Sequence, residues 1–309
     1  FTLVALPVLE TRFLVPTITA LISRPAQNLV VQFAAPHPKR EVVLCAHVDS
    51  KTELLDHAAR DRLLRWGRPA MILALGCGAL VVVESQLPHG AVRAIIHAAA
   101  VGMALPAVAY GLGMGANLAG GRMRRRPSRG AVDNGAAVAV LLDLARRLQR
   151  GDPALKHTAV TLLLTVGEEV QMQGALAYVD DRTAWPLPTC VVNLDSVGQD
   201  GGYLLYAEDG TVMYRLPADP GIVGALGTAV EAVNGTQPPV APSTNTDAFA
   251  FLRRGIPAAT LGSFDAELGK RGLHGPLDNP DRVDRQRLVE TVGILSRFLV
   301  DVDTSPVDA

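Results

Sequence analysis

Three nearly continuous apolar runs, each halting at a side chain able to bind a metal, limit most strongly what this chain can fold into. Val42-Val43-Leu44-Cys45-Ala46 runs into His47 and Asp49. Ala159 to Val166 passes through Gly167 into Glu168 and Glu169, and Cys190-Val191-Val192-Asn193-Leu194 runs into Asp195. Short runs without polar alternation are what strands covered on both faces look like, as in a parallel sheet between helix layers. In open sheets of that kind, ligands sit just beyond the carboxyl ends of the strands. Three separate strands would then deliver one His and several carboxylates to a single rim, which suits metal-dependent hydrolysis.

The rest of the chain keeps the alternation of strand and helix. Residues 8–24 read as an amphipathic helix broken at Pro16, and Asn28 to Ala35 as a strand. Ala137, Leu141, Leu144, Ala145 and Leu148 recur with helical period between Asn134 and Gln149, with Arg146 and Arg147 suited to the last turn. A helix is expected over about 172–180. A short strand follows over Gly202 to Ala207, then a helix from Asp219 to Val233 with Asp219 as its cap. A helix near 246–254 leads to a strand at Ala258–Leu261, and an amphipathic helix from Asp284 to Val300 closes the chain. The fold class expected is α/β: a mostly parallel mixed sheet with helices on both faces.

Residues 52–129 break this rhythm. Pro69 to Val83 is apolar throughout, and Ile95 to Leu118 is rich in Ala and Gly, interrupted by His97 and Pro106. Each stretch approaches the roughly 20 apolar residues a membrane helix needs. The loop Pro88-His89-Gly90 separates them. Arg60, Arg62, Arg65 and Arg68 stand before the first stretch, with Trp66 at the expected interface. Arg122, Arg124, Arg125, Arg126 and Arg129 stand after the second, and only Arg93 lies near the loop. That asymmetry fits a membrane-embedded hairpin with both flanks, and the catalytic domain, on the cytoplasmic side. Glu84 and His97 are costly in lipid unless they lie near an edge or pair with each other. The alternative is a helical insertion packed on the enzyme or at a dimer interface. The expected domains are thus an α/β domain over 1–51 and 130–309, with an apolar helical hairpin over 52–129 that contacts a lipid bilayer through 69–119.

A formal charge of −1 gives no sign of a nucleic-acid partner. Cys45, Cys77 and Cys190 all lie in apolar runs with no Cys-x-x-Cys spacing, so they read as reduced core residues, and any metal is left to His and carboxylate. The chain opens on Phe1 rather than Met, which leaves room for a signal or anchor upstream.

Two further positions complete a ligand set: Asp133, in a turn that starts a helix, and His274, in a Gly/Pro-rich loop near the end. His47, Asp133, Glu169, Asp195 and His274 offer N and O donors that suit Zn²⁺ with open positions. If one carboxylate bridges, five residues can hold two ions, which acidify water and stabilise a developing oxyanion. A further carboxylate must move the proton, and the adjacent Glu168 and Glu169 suit that division. Asp49, two residues beyond His47, is expected to accept the second ring N–H of His47. His37, His57 and His157 read as ordinary loop residues.

The ordered series His47-Val48-Asp49, Gly130-Ala131-Val132-Asp133-Asn134, Gly167-Glu168-Glu169, Asn193-Leu194-Asp195 and Leu273-His274 resembles the dinuclear zinc aminopeptidase family. That family includes bacterial leucyl aminopeptidases, glutamate carboxypeptidases and glutaminyl cyclases. The resemblance covers about 28–50 and 130–300 and skips the apolar insertion. It implies a zinc-exopeptidase fold, His47 and Asp195 on one zinc, Glu169 and His274 on the other, Asp133 between them, and Glu168 as general base. The substrate it implies is a peptide or small aminoacyl compound cleaved at its N-terminus. Asp247 matches a segment that usually reads Ser-Asp-His near the site. The family's Tyr before the last His is Leu273 here, and the His after Asp247 is Ala248. Alternatives are a glutaminyl-cyclase-like acyltransferase using one zinc, or a catalytically silent membrane scaffold with a peptidase fold.

Overall fold

A computed structural model of the chain describes residues 24–121, 123–211, 214–265 and 272–306. All but the last residue of the helix expected over 8–24 therefore lies outside the described residues. The strands are β1 (Leu29–Phe33), β2 (Arg40–His47), β3 (Thr158–Thr165), β4 (Thr189–Leu194), β5 (Tyr203–Tyr206), β6 (Glu208–Gly210), β7 (Arg215–Pro217), β8 (Val240–Ala241) and β9 (Ala258–Ser263). The helices are α1 (His57–Leu64), α2 (Gly67–Ser85), α3 (Ala91–Gly121), α4 (Ala136–Gln149), α5 (Gln173–Asp181), α6 (Pro220–Asn234), α7 (Ala248–Leu252) and α8 (Arg285–Thr304).

Seven strands form one sheet in the order β1-β3-β2-β4-β9-β5-β8. The neighbours β3, β2, β4 and β9 are mutually parallel, while β1 and β5 pair antiparallel to β3 and β9. This is the mostly parallel mixed sheet expected. The apolar runs are its middle strands because both their faces are covered. Val42, Leu44 and Ala46 of β2 pack with α4, α6 and α8 through Leu141, Leu144, Leu226, Val230, Leu295 and Phe298. Val43 and Cys45 point the other way, onto Val179 of α5 and Phe249 and Phe251 of α7. Alternate side chains of one strand thus feed two separate cores, so neither face of β2 can tolerate polar alternation. The cysteines are free; Cys45 is fully buried in this packing, whereas Cys77 and Cys190 are half-buried.

The strand order places β2 between β3 and β4, so the chain leaves β2 in one direction and returns to its other side. The crevice at such a reversal is where open sheets bind ligands. Asp219 caps α6 as expected, its side chain accepting from the Ile222 N–H at 2.9 Å.

Between β2 and β3 the chain builds the insertion. Helices α2 and α3 pack on each other and are joined through Pro88-His89-Gly90. The stretch His57–Ser85, which runs through α1 and α2, and α3 are each long and apolar enough to cross a membrane, with mean hydropathy 1.7 over the best window of each and only 11% and 6% of those windows buried. That exposure distinguishes them from core helices. The polar pair inside the hairpin is matched: His97 Nδ1 lies 3.2 Å from Glu84, and Arg93 Nε lies 3.6 Å from the same carboxylate.

Candidate metal centre

Each donor reaches the rim by a different local device. His47 is the last residue of β2 and is 1% exposed. Glu168 and Glu169 follow β3 through Gly167, whose φ of 78° is a conformation that favours glycine. Their loop is fixed by Asp49: its carboxylate accepts the N–H groups of Gly167, Glu168 and Glu169 at 2.8, 3.2 and 3.2 Å. Asp133 sits in an irregular turn over Ala131–Gly135 that opens α4. Asn134 ties that turn to the end of β4 by donating to the Leu194 carbonyl at 2.8 Å and accepting from the Ser196 N–H at 3.2 Å. Asp278 ties it to the His274 loop by accepting the Val132 N–H at 2.7 Å.

The outcome is convergence. His47 Nε2 is 3.2 Å from Asp133 Oδ1, and His274 Nε2 is 3.0 Å from Asp133 Oδ2. The two oxygens of one carboxylate thus face two different imidazoles. His274 Nε2 is also 3.2 Å from Glu169 Oε1. Donor atoms of His47, Asp133 and Asp195 lie within 4.8 Å of one another, and so do those of Asp133, Glu169 and His274. Glu168 stands at the side, its Oε2 4.0 Å from His47 Nε2. His47 Nε2 and Glu169 Oε1 are buried without a hydrogen-bond partner. Leaving buried polar atoms unpaired is unfavourable, and both atoms belong to clustered N and O donors, so the donor set fits a bound cation.

The electrostatics reflect the crowding. Burial would lower the His47 and His274 imidazoles, but Asp133 and the neighbouring carboxylates hold both well above the usual range. Burial, reinforced by Asp133, pushes Asp195 up to about 7. Burial pushes Glu168 well up, opposed by His47 and reinforced by Asp195 and Glu169. Asp247 lies beneath the rim, fully buried, accepting from Thr165 Oγ1, with Cys45 Sγ 3.9 Å away.

The role expected for the Asp49 side chain is corrected. His47 Nδ1 is 2.9 Å from the Asp49 backbone carbonyl and 3.7 Å from the carboxylate. The carboxylate is instead committed to the three N–H groups of the glutamate loop, which bind it better than one imidazole would. Lys51, Glu53, His57 and Arg60 were not legible as site residues. Lys51 Nζ lies 2.9 Å from Glu169 Oε2, and His57 Nε2 and Arg60 Nη1 each lie 3.2 Å from His274 Nδ1. His57, read from sequence as a loop residue, is in the first turn of α1 against His274, and burial together with Arg60 and His274 pulls its pKa down to about 3.

The sequence profile of peptidase family M28 matches residues 113–299. The chain belongs to peptidase family M28. No curated protein gives a significant sequence match. Among solved structures, the LapA aminopeptidase of Legionella pneumophila superposes with a TM-score of 0.53 at 13% identity, over 90% of this chain and 56% of that one. BSAP, a zinc aminopeptidase from Bacillus subtilis, gives 0.53 at 18% identity, over 89% of this chain and 49% of that one. Porphyromonas gingivalis glutaminyl cyclase gives 0.52 at 15% identity, over 89% and 77%. At such identities the likeness is one of fold. This M28 chain spans about half the length of the aminopeptidases it superposes on.

Proposed function

We propose that this M28 protein is a zinc-dependent exopeptidase that removes N-terminal residues from peptides. The observation that carries this reading is the Asp133 carboxylate, which turns one oxygen to His47 and the other to His274. With Asp195 beside His47 and Glu169 beside His274, the residues that would hold two zinc ions form two triplets sharing one member. When bound, such a pair acidifies water and polarises the scissile carbonyl. Glu168, beside His47, would take the proton from the attacking water and hand it to the departing amine. Asp49 holds the backbone that aims Glu168 and Glu169, so the proton carrier and a ligand are fixed by one side chain. Leu273 cannot donate a hydrogen bond where the family often has Tyr, so stabilisation of developing oxyanion charge would rest more heavily on the bound ions.

The exposed apolar hairpin, its matched Glu84–His97–Arg93 trio and the arginines flanking it support insertion into a lipid bilayer. On this reading the peptidase unit comprises residues 1–51 and 130–309, and 52–129 form the membrane-embedded insertion.

Metal analysis of the purified full chain together with an aminoacyl-anilide panel tests the reading. About two zinc ions per chain, with hydrolysis abolished by a chelator and restored by zinc, is the expected result. One ion with cyclisation of N-terminal glutamine would favour the glutaminyl-cyclase-like activity instead. A chain that takes up no zinc would leave only a scaffold.

A further inference from the structure

We infer that Glu53, on the segment joining β2 to the helical insertion, is a positioning residue for His274, and that the seating of the hairpin thereby sets how tightly one of the two ions is held. The inference rests on the metal reading of the site. His274 turns Nε2 toward Asp133 and Glu169, so Nδ1 faces the other way. On that side lies the Glu53 carboxylate, with Oε2 3.6 Å from Nδ1, beside His57 Nε2 and Arg60 Nη1, each 3.2 Å from the same nitrogen. Glu53 is 3% exposed, and this oxygen is buried with no hydrogen-bond partner. A carboxylate facing the second ring nitrogen is what fixes the tautomer and orientation of a metal-binding His.

Two cations hold Glu53 in place: Lys51 Nζ at 3.5 Å from Oε1 and Arg60 Nη1 at 3.6 Å from Oε2. Lys51 also reaches Glu169 Oε2 at 2.9 Å. The backbone adds a clamp, since the Glu53 N–H donates to the His274 carbonyl at 2.9 Å. The Lys51–Glu53 pair therefore supports both His274 and Glu169.

The hairpin fixes where Glu53 stands. Asn117 of α3 accepts the Leu55 N–H on its side-chain oxygen at 2.7 Å and the Leu54 N–H on its carbonyl at 3.0 Å. Gly121, the last residue of α3, packs so closely that a Cβ there would lie 1.7 Å from the Thr52 carbonyl oxygen and 3.1 Å from the Glu53 Cα. Arg60 belongs to α1, which leads directly into α2. A shift of the hairpin feet is thus passed to Glu53, and from it to the ring of His274.

The test uses the full chain in detergent, stripped with a chelator and titrated with zinc against a fluorescent competitor, and with Co²⁺ followed by visible absorption. Glu53→Gln is expected to weaken one equivalent of zinc about 10–100-fold and leave the other at wild-type affinity. The Co²⁺ bands of one site alone should change, and Glu53→Asp should recover part of the loss. Gly121→Ala, remote from the donors, should weaken the same equivalent. If that variant does not fold, Asn117→Ala carries the same expectation, because it removes the side-chain bond to Leu55. Two equivalents bound as in wild type by Glu53→Gln, or both weakened alike, would overturn the role of Glu53. Unchanged affinities in the hairpin-foot variants would overturn the link to the insertion. A wild-type chain that takes up no zinc overturns the metal reading itself, and this inference with it.

Discussion

Replacing Glu168 by Gln removes a proton acceptor and little else. The side chain is 10% exposed, and Gln has the same shape, so the cavity around it is kept. The backbone N–H of residue 168 still donates to Asp49 at 3.2 Å, so the loop that aims Glu169 stays in place. Glu168 Oε2 lies 4.0 Å from His47 Nε2, and Glu168 belongs to neither of the two donor triplets. General acid–base catalysis contributes about 10²–10⁴ in rate, or about 2.7–5.5 kcal/mol of barrier at about 1.36 kcal/mol per tenfold. Because the same carboxylate would accept a proton in one step and deliver it in the next, the loss should fall in the upper half of that range. The assay is steady-state hydrolysis of leucine p-nitroanilide, with zinc measured on the same preparation. The expected result is unchanged zinc and KM with a fall in kcat alone. A kcat within about fivefold of wild type, with zinc still bound, would refute the assignment of Glu168 as proton carrier.

Asp49→Ala should lower unfolding stability by about 1–3 kcal/mol in urea titrations, because three loop N–H groups lose their acceptor, and should weaken zinc binding along with turnover. Glu41, buried in β2, pairs with Arg182 Nη2 at 2.7 Å and accepts from Thr161 Oγ1 at 2.6 Å. Burial would raise its pKa, but Arg182 and Thr161 together hold it below the usual carboxylate range. Its contribution is therefore full above that range and is lost as pH falls through the lowered value, so wild type should lose more stability than Glu41→Gln between pH 7 and roughly pH 3. Equal losses in chemical denaturation would contradict this. On the bilayer reading the full chain needs detergent to stay in solution, and replacing residues 70–112 by a short Gly/Ser linker, which spares Asn117 and Gly121, should remove that need. A full chain that is freely soluble without detergent would rule out the bilayer reading.

The parts of the fold legible from sequence are those whose pattern is dictated by burial. β2, β3 and β4 are apolar on both faces because they face two cores, and the residues ending them stand at the rim by topology alone. His274 and Asp133 lie on loops and carry no periodic signal; the ordered resemblance singled them out. β6, β7 and β8 went unread because two or three residues are too few to show alternation. Lys51, Glu53, His57 and Arg60 went unread for another reason: Glu53, His57 and Arg60 meet His274, over 200 positions further along the chain, Lys51 meets Glu169, over 100 positions along, and nothing local to them signals those contacts. The Asp49 reading failed on a two-residue scale, because which of its groups meets His47 depends on how the chain bends after β2.

The trio of Glu84, Arg93 and His97 acquires a meaning from its height along the hairpin. At about 1.5 Å per residue, Glu84 stands roughly 25 Å along α2 from Gly67, close to the thickness of a hydrocarbon layer of about 30 Å. On the bilayer reading, this charged knot surfaces at the opposite leaflet while Trp66 rests in the near one. Two such fixed points act as a gauge, holding the catalytic rim at a constant altitude over the lipid and favouring substrates whose free ends lie close to that plane.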